Sequence, residues 1–313
     1  LLLTFQKKGD GRNLRRDILT FIRRRPGQSG IVYCLSRKGV ESVADFLVTQ
    51  GVSAKPYHAG LSDRDRERNQ DAFIRDECDV MVATVAFGMG INKSNIRYVI
   101  HRDMPRTIEN YYQEIGRAGR DGLPSDCVLF YSWADVMSYE HFLTQAADPE
   151  TAQATQVKTV EMFRLAERRS CRHREIVAHF DETMGDCGAS CDICRGLTLD
   201  ALLAQGKPVA EPALAFPKGR RPTGGEVDSN DPLFARLRAL RRSLADELNV
   251  PAYIVFSDAV LTQIALRRPQ SSAGLLGISG VGQVKLVRYG EQFLNAVREH
   301  VAETEANAPR ASS

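Results

Sequence analysis

The sequence predicts an α/β protein: a mostly parallel sheet with helices on both faces, followed by two helical segments. Three observations carry this. Five short apolar runs between residues 30 and 131 alternate with amphipathic stretches, the pattern of strands that are buried on both faces and joined by helices. Residues 151–180 then keep only a helical period, with a basic segment from Arg168 to Arg174, and run into a cluster of cysteines. Residues 231–300 are helical in pattern throughout, after a stretch, residues 200–230, punctuated by Pro208, Pro212, Pro217, Pro222 and several glycines.

Residues 1–5 read as a strand with nothing before it, as expected of a piece cut from a larger chain. Residues 10–25 place Leu14, Ile18, Leu19, Phe21 and Ile22 among arginines, an amphipathic helix stopped by Pro26 and Gly27. The first strand of the alternation is residues 30–35 (GIVYCL), after which Ser36 caps a helix to residue 50; the second is residues 54–58, after which Ser62 caps a helix to residue 75. Residues 79–85, 97–102 and 127–131 are the third, fourth and fifth strands. In the last segment Asp231 caps a helix with Pro232 at its first position, residues 257–267 form another, and the turn GISGVG leads into a final helix ending at residue 297. Residues 303–313 read as a disordered tail.

Composition bounds the function. A hydrophobic content of 43% and a charged content of 26% over 313 residues suit a soluble chain with two or three cores. No apolar run approaches the ~20 residues that span a bilayer, and Leu1 opens no signal peptide, so no membrane partner and a cytoplasmic location are expected. A net charge of +3 is too small to mark a nucleic-acid binder, which leaves that reading to local clusters. Of seven cysteines, Cys34, Cys78 and Cys127 lie in or beside strand-like runs and read as small core residues.

Ligands meet an open parallel sheet at the carboxyl ends of its strands, and the polar residues gather there. Ser36, Arg37 and Lys38 follow the first strand, His58 the second (YHAGL), and the loop TVAFGMGINK, Thr84 to Lys93, the third. Gly88 and Gly90 let backbone amides approach a phosphate, Thr84 offers a hydroxyl and Lys93 a charge. Residues 111–122 read YYQEIGRAGRDG. A helix from Tyr111 to Arg120 puts Gln113, Arg117 and Arg120 at i, i+4 and i+7, a stripe of one amide and two guanidiniums suited to a polyphosphate. Gly116 and Gly119 mark a surface that another backbone or a ligand approaches closely; the plain alternative is a solvated basic helix end. Cys171, Cys187, Cys191 and Cys194, the last three within CGASCDIC, offer four thiolates to a tetrahedral zinc. The alternative, a disulfide pair, is disfavoured in a reducing compartment.

These motifs, in this order over residues 30–131, resemble motifs four, five and six of the RecQ family of superfamily-two helicases. The resemblance implies a second RecA-like lobe over residues 1–148, in which Gln113, Arg117 and Arg120 reach across a cleft to ATP and Mg²⁺ held by a neighbouring lobe. Gly88, Gly90 and Asn92 then face the nucleotide, while Ser36, Arg37, His58, Thr84 and Lys93 face DNA. It also implies a structural zinc module over residues 149–199, although the family leaves two residues between the second ligand and the third where three separate Cys187 from Cys191. Residues 200–230 form a linker where the family places a winged-helix domain, and residues 231–302 resemble the HRDC domain, with Tyr253, Lys285 and Arg288 as its DNA-contacting candidates. GISGVG resembles a helix-hairpin-helix turn. Nine basic residues of this segment, among them Arg236, Arg241 and Arg298, face six acids, a modest excess that keeps protein docking open beside DNA binding.

The implied function is that of the C-terminal part of an ATP-dependent 3′–5′ DNA helicase acting in DNA repair, recombination and replication. A G-x-x-x-x-G-K-[ST] loop does not occur in the 313 residues, so the chain by itself is expected to be inactive. Its implied partners are the missing N-terminal lobe, single-stranded and forked or partly duplex DNA, and single-stranded-DNA-binding protein, with a place on the nucleoid if the source is bacterial. The alternative is a non-catalytic nucleic-acid-binding adaptor that never had an ATP-binding lobe.

Overall fold

The computed structural model describes residues 1–9, 11–84, 87, 93–143, 149–205, 231–248, 252–278 and 280–306. The chain divides into two units, Leu1–Val209 and Ala210–Ser313. The first contains, in order, β1 (Leu2–Lys7), α1 (Leu14–Arg23), β2 (Ser29–Tyr33), α2 (Arg37–Thr49), β3 (Ala54–Tyr57), α3 (Asp63–Ile74), β4 (Val80–Ala83), β5 (Ile96–His101), α4 (Ile108–Ile115), β6 (Asp126–Tyr131), α5 (Trp133–Leu143), α6 (Pro149–Glu167), α7 (Arg172–His179), α8 (Asp192–Arg195) and α9 (Leu199–Ala204). The second contains α10 (Pro232–Glu247), α11 (Ala252–Val255), α12 (Asp258–Arg267), α13 (Ser272–Leu276) and α14 (Gln283–Ala306).

The six strands form one sheet in the order β1-β6-β5-β2-β4-β3, and every pairing is parallel. Strands β2, β4 and β5 are buried at every position, as their unbroken apolar runs require. Pro56 is tolerated because β3 is an edge strand, where a missing N–H breaks no central ladder. Side chains alternate between two cores. On one face Ile18, Phe21 and Ile22 of α1 and Val40, Val43 and Leu47 of α2 cover Val32, Val80, Val82 and Ile100. On the other, Phe73, Ile108, Tyr111 and Ile115 cover Ile31, Met81 and Val99.

That second core continues without a break into Met162, Phe163, Leu165, Ile176, Cys171 and Cys191, so the cysteine-bearing helices share the core of the sheet. The join is at edge strand β1. Leu3 N–H donates to Ser190 O at 3.0 Å and Phe5 N–H to the Asp192 carboxylate at 3.1 Å, which satisfies main-chain donors that an edge otherwise exposes. Arg172 holds the same carboxylate by two parallel bonds, 2.9 and 3.2 Å, and lies over the Phe5 ring at 4.4 Å.

Two sequence expectations change. Residues 200–204 belong to no linker: Leu199, Leu202 and Leu203 of α9 are buried in the α1–α2 core, Thr198 caps the helix, and Arg12 pairs with Asp200 at 2.8 Å. Residues 206–230 lie outside the described residues. The final helix passes residue 297 and runs to Ala306, with Glu303 paired to Arg236 at 3.0 Å, so residues 303–306 are helical and 307–313 lie outside the described residues. No helix of the described residues is long and apolar enough to cross a membrane.

Candidate functional site

Helix α4 starts at the carboxyl end of β5, where the Thr107 hydroxyl accepts the N–H of Asn110, and lays Ile108, Tyr111 and Ile115 on the sheet. It ends at Ile115. The expected single stripe of Gln113, Arg117 and Arg120 is therefore corrected: only Gln113 is helical, exposed on the last turn, and both arginines leave from a following turn. The cause is the glycine pair. Gly116 caps the helix, and Gly119 turns the chain at φ +67, where a β-carbon would stand 3.0 Å from Ser125 Oγ and 3.1 Å from Leu123 O. Gly119 N–H donates to Ile96 O at 2.9 Å, pinning the turn to the start of β5. Arg120 is exposed, with its Nε donating to Gly116 O at 3.1 Å. Arg117 is half-buried, its charge near enough to the Tyr33 phenol to offset part of what burial does to that group.

Beneath the arginines lies a buried polar chain that sequence reasoning missed. Glu114 Oε2 sits 2.7 Å from His101 Nε2, the imidazole stacks on Tyr33 with centroids 5.3 Å apart, and the Tyr33 hydroxyl donates to Phe87 O at 3.2 Å. Burial, with the Glu114 charge, raises the Tyr33 pKa and keeps the phenol protonated. The signal was present in Glu114, the one acid on the apolar face of α4 between Tyr111 and Ile115.

At the other strand ends the candidates divide. Ser36 is exposed and caps α2 through Gly39 N–H at 3.1 Å, and Arg37 and Lys38 are exposed on its first turn. Thr84 is half-buried, its backbone held by Tyr57 O at 3.2 Å. His58 and Lys93 do not face solvent as expected. His58 is 2% exposed; its Nδ1 accepts Gly60 N–H at 3.2 Å and its Nε2 lies 3.2 Å from Glu41, so it shapes its loop. Lys93 is 1% exposed and paired with buried Asp76 at 2.5 Å, because a desolvated ammonium needs a carboxylate beside it. Gly88, Gly90 and Asn92 lie outside the described residues.

The four cysteines converge. The Sγ atoms of Cys171, Cys187, Cys191 and Cys194 all lie within 4.8 Å of one another, and four sulfurs at ~2.3 Å from a tetrahedral zinc stand about 3.8 Å apart. The donor set fits zinc. Cys187 N–H donates to Cys171 Sγ at 3.2 Å and Cys194 N–H to Cys191 Sγ at 3.4 Å, outer-sphere bonds that favour thiolates. Burial opposes ionisation of Cys171, but the N–H groups of Arg174 and Cys187 outweigh it and lower its thiol to about 7. The extra residue between Cys187 and Cys191 is absorbed by Gly188 at φ +72, after which Ala189 N–H closes on Cys187 O at 2.9 Å. His173 is held by Ser190 O at 2.9 Å, outside the ligand set.

In the second unit Tyr253 is half-buried on α11, Arg288 is exposed beside Tyr289, and Lys285 is half-buried 5.7 Å over the Phe256 ring. The basic excess shrinks. Arg241 is fully buried and donates to Asp258 at 2.6 Å and Phe256 O at 3.0 Å, while Arg236 and Arg298 are paired with Glu303 and Glu291. Of the GISGVG turn, Ile278 and Val281 are buried in the bundle and Ser279 lies outside the described residues.

Three family models match in order: the helicase conserved C-terminal domain over residues 13–122, RecQ zinc-binding over residues 133–195, and the HRDC domain over residues 230–297. Fold and site thus define a RecA-like helicase lobe that carries a zinc-binding centre and is followed by an HRDC unit. The chain is similar to the ATP-dependent DNA helicase RecQ of Haemophilus influenzae, 34% identical with 90% of this chain and 61% of the relative covered, and to that of Pasteurella multocida at 33%, 90% and 59%. To that of Bacillus subtilis it is 33% identical, covering 97% of this chain and 65% of the relative. The chain belongs to the RecQ helicase family, in which it fits the C-terminal portion, and it spans less than two thirds of the length of each of these relatives. Since 90% of 313 residues is far short of the 378 aligned with the first relative, roughly 100 positions inside the match are absent here, the size of one small domain.

Proposed function

We propose that the chain supplies the second motor lobe, the zinc centre and the HRDC unit of an ATP-dependent DNA helicase that translocates 3′ to 5′ in DNA repair, recombination and replication, in the cytoplasm and on the nucleoid of a bacterial source. The observation that carries this is the segment Gly116–Gly119, pinned to the start of inner strand β5, which presents Arg117 and Arg120 in a chain whose family is RecQ. ATP with Mg²⁺, held by a partner lobe, supplies the phosphoryl group and its charge. The chain's own part is electrostatic. Two guanidiniums are positioned for the charge that develops on the transferring group, and Gln113 adds an amide from the same segment. Ser36, Arg37 and Thr84, beyond the carboxyl ends of β2 and β4, offer donors to a DNA backbone, and Tyr253, Lys285 and Arg288 do so in the second unit. Zinc, bound by the four cysteines, supplies folding energy to the edge of the sheet rather than chemistry.

The test is unwinding. Joined to an ATP-binding lobe, the protein separates forked and 3′-tailed duplexes with ATP, and the 313-residue chain by itself turns over no ATP. DNA binding by the joined protein without ATP-driven strand separation would establish the adaptor instead.

A further inference from the structure

The backbone does not require a glycine at position 60. Gly60 is exposed on the loop after β3, and its φ lies outside the left-handed region. What the position lacks is room: a β-carbon there would stand 3.1 Å from Arg37 Cδ, 3.3 Å from Arg37 Nη1 and 3.1 Å from His58 Nδ1. The Arg37 side chain therefore rests against bare main chain. The loop beneath it is fixed. His58 is 2% exposed, its Nδ1 accepts Gly60 N–H at 3.2 Å, and its Nε2 lies 3.2 Å from Glu41. Leu61 N–H closes the turn on His58 O at 3.1 Å. Glu41 follows Arg37 by four residues in α2, so the two share one helix face and both meet this loop. Arg37 is exposed, and among the described residues no carboxylate pairs with it. A long cationic side chain without such a partner samples many rotamers, and ordering it is part of the cost of gripping a phosphate.

We propose that Gly60 is the positioning residue of Arg37: its missing side chain, on a turn held by His58, leaves the surface on which the arginine stem rests and so sets where the guanidinium meets a DNA phosphate. Gly60 acts through Arg37 alone. This rests on the proposed contact of Arg37 with the DNA backbone.

Gly60→Val fills that surface at an exposed position, and the urea midpoint read from Trp133 stays parental. The protein joined to its ATP-binding lobe is titrated with fluorescent single-stranded DNA over a series of salt concentrations. Gly60→Val and Arg37→Ala each lower affinity about fivefold, the size of one poorly ordered side chain, and each lower the salt slope by about 0.7, one phosphate contact on a single strand. The double variant binds no more weakly than Arg37→Ala, because both changes remove the same contact. Two results overturn the proposal: Gly60→Val at parental affinity and slope while Arg37→Ala loses both, or losses that add in the double variant, which would leave the glycine serving His58 instead. A second measurement stands apart from DNA. In the 313-residue chain, nuclear Overhauser contacts join the Arg37 Cδ protons to the Gly60 Cα protons, and their absence overturns the positioning outright. If Arg37→Ala keeps the parental slope, the DNA role of Arg37 falls, and these contacts still decide whether Gly60 seats it.

Discussion

Asp192→Ala strikes the point where the cysteine cluster is sewn to the sheet. The carboxylate is buried and takes four bonds: Arg172 Nε at 2.9 Å, Arg172 Nη2 at 3.2 Å, Ile193 N–H at 2.8 Å and Phe5 N–H at 3.1 Å. Arg172 is equally buried, and its Nη1 is already committed to Ala166 O and Arg168 O. Truncation therefore strands a guanidinium inside the core, which costs about 3–5 kcal/mol. It also orphans the Phe5 N–H, worth about 1–3 kcal/mol alone but overlapping with the first loss. Trp133 is the only tryptophan, lies in the first unit and packs on Phe163 at 5.0 Å, so its fluorescence reports this unit by itself. With a urea slope of ~2–3 kcal/mol/M, the midpoint falls by about 1–2 M. Arg172→Met combined with Asp192→Leu, which removes both charges, falls much less. A midpoint for Asp192→Ala within about 0.3 M of the parent refutes the reasoning, given that urea slope.

Three further outcomes follow from the same structure. Cys194→Ser opens the four-thiol site, so purified protein carries less than one zinc per chain by metal analysis and protease cuts within residues 168–195; full zinc with parental protease resistance contradicts the site. Burial pushes the Asp103 carboxyl up, but Lys8, Arg102 and the Leu35 N–H outweigh it and hold it below the ordinary range. Its contribution is therefore present above the unfolded carboxylate value of ~3.9 and lost as pH falls through the depressed folded value. Asp103→Asn lowers stability at neutral pH and flattens the acid limb of a stability profile, and parallel limbs contradict this. In the second unit, Lys285→Ala with Arg288→Ala weakens single-stranded DNA binding and lowers its salt slope by about 2; an unchanged slope by fluorescence titration moves that unit to protein docking.

The helix caps and the strand runs were legible because each is written in a few adjacent residues. Ser36, Ser62 and Asp231 cap where their chemistry places them, and the apolar runs became a parallel sheet. The cysteine cluster was legible too, since spacing alone limits what four thiols can do. What escaped depends on partners far along the chain. Lys93 and Arg241 show only a charge in the sequence, whereas Asp76 and Asp258, seventeen residues away in each case, decide that they are buried and paired. The end of α4 escaped for a different reason: Gln113, Arg117 and Arg120 keep a helical period, although the helix stops at Gly116 and the left-handed Gly119 turns the chain away. Helix α9 was too short for its three leucines to display a period beside the prolines that follow.

The most direct test of the central claim is ATP turnover by Arg117→Ala and Arg120→Ala in the protein joined to its ATP-binding lobe, with nucleotide and DNA affinity measured on the same samples. An arginine supplied to the transferring phosphoryl group is worth about 10³–10⁵ in rate. Both variants should therefore lose kcat by that order while binding nucleotide nearly as the parent does, and Arg120→Lys should fail as well, because a point charge does not replace the fork. A double variant that folds, binds DNA and hydrolyses ATP at close to the parental rate contradicts the account.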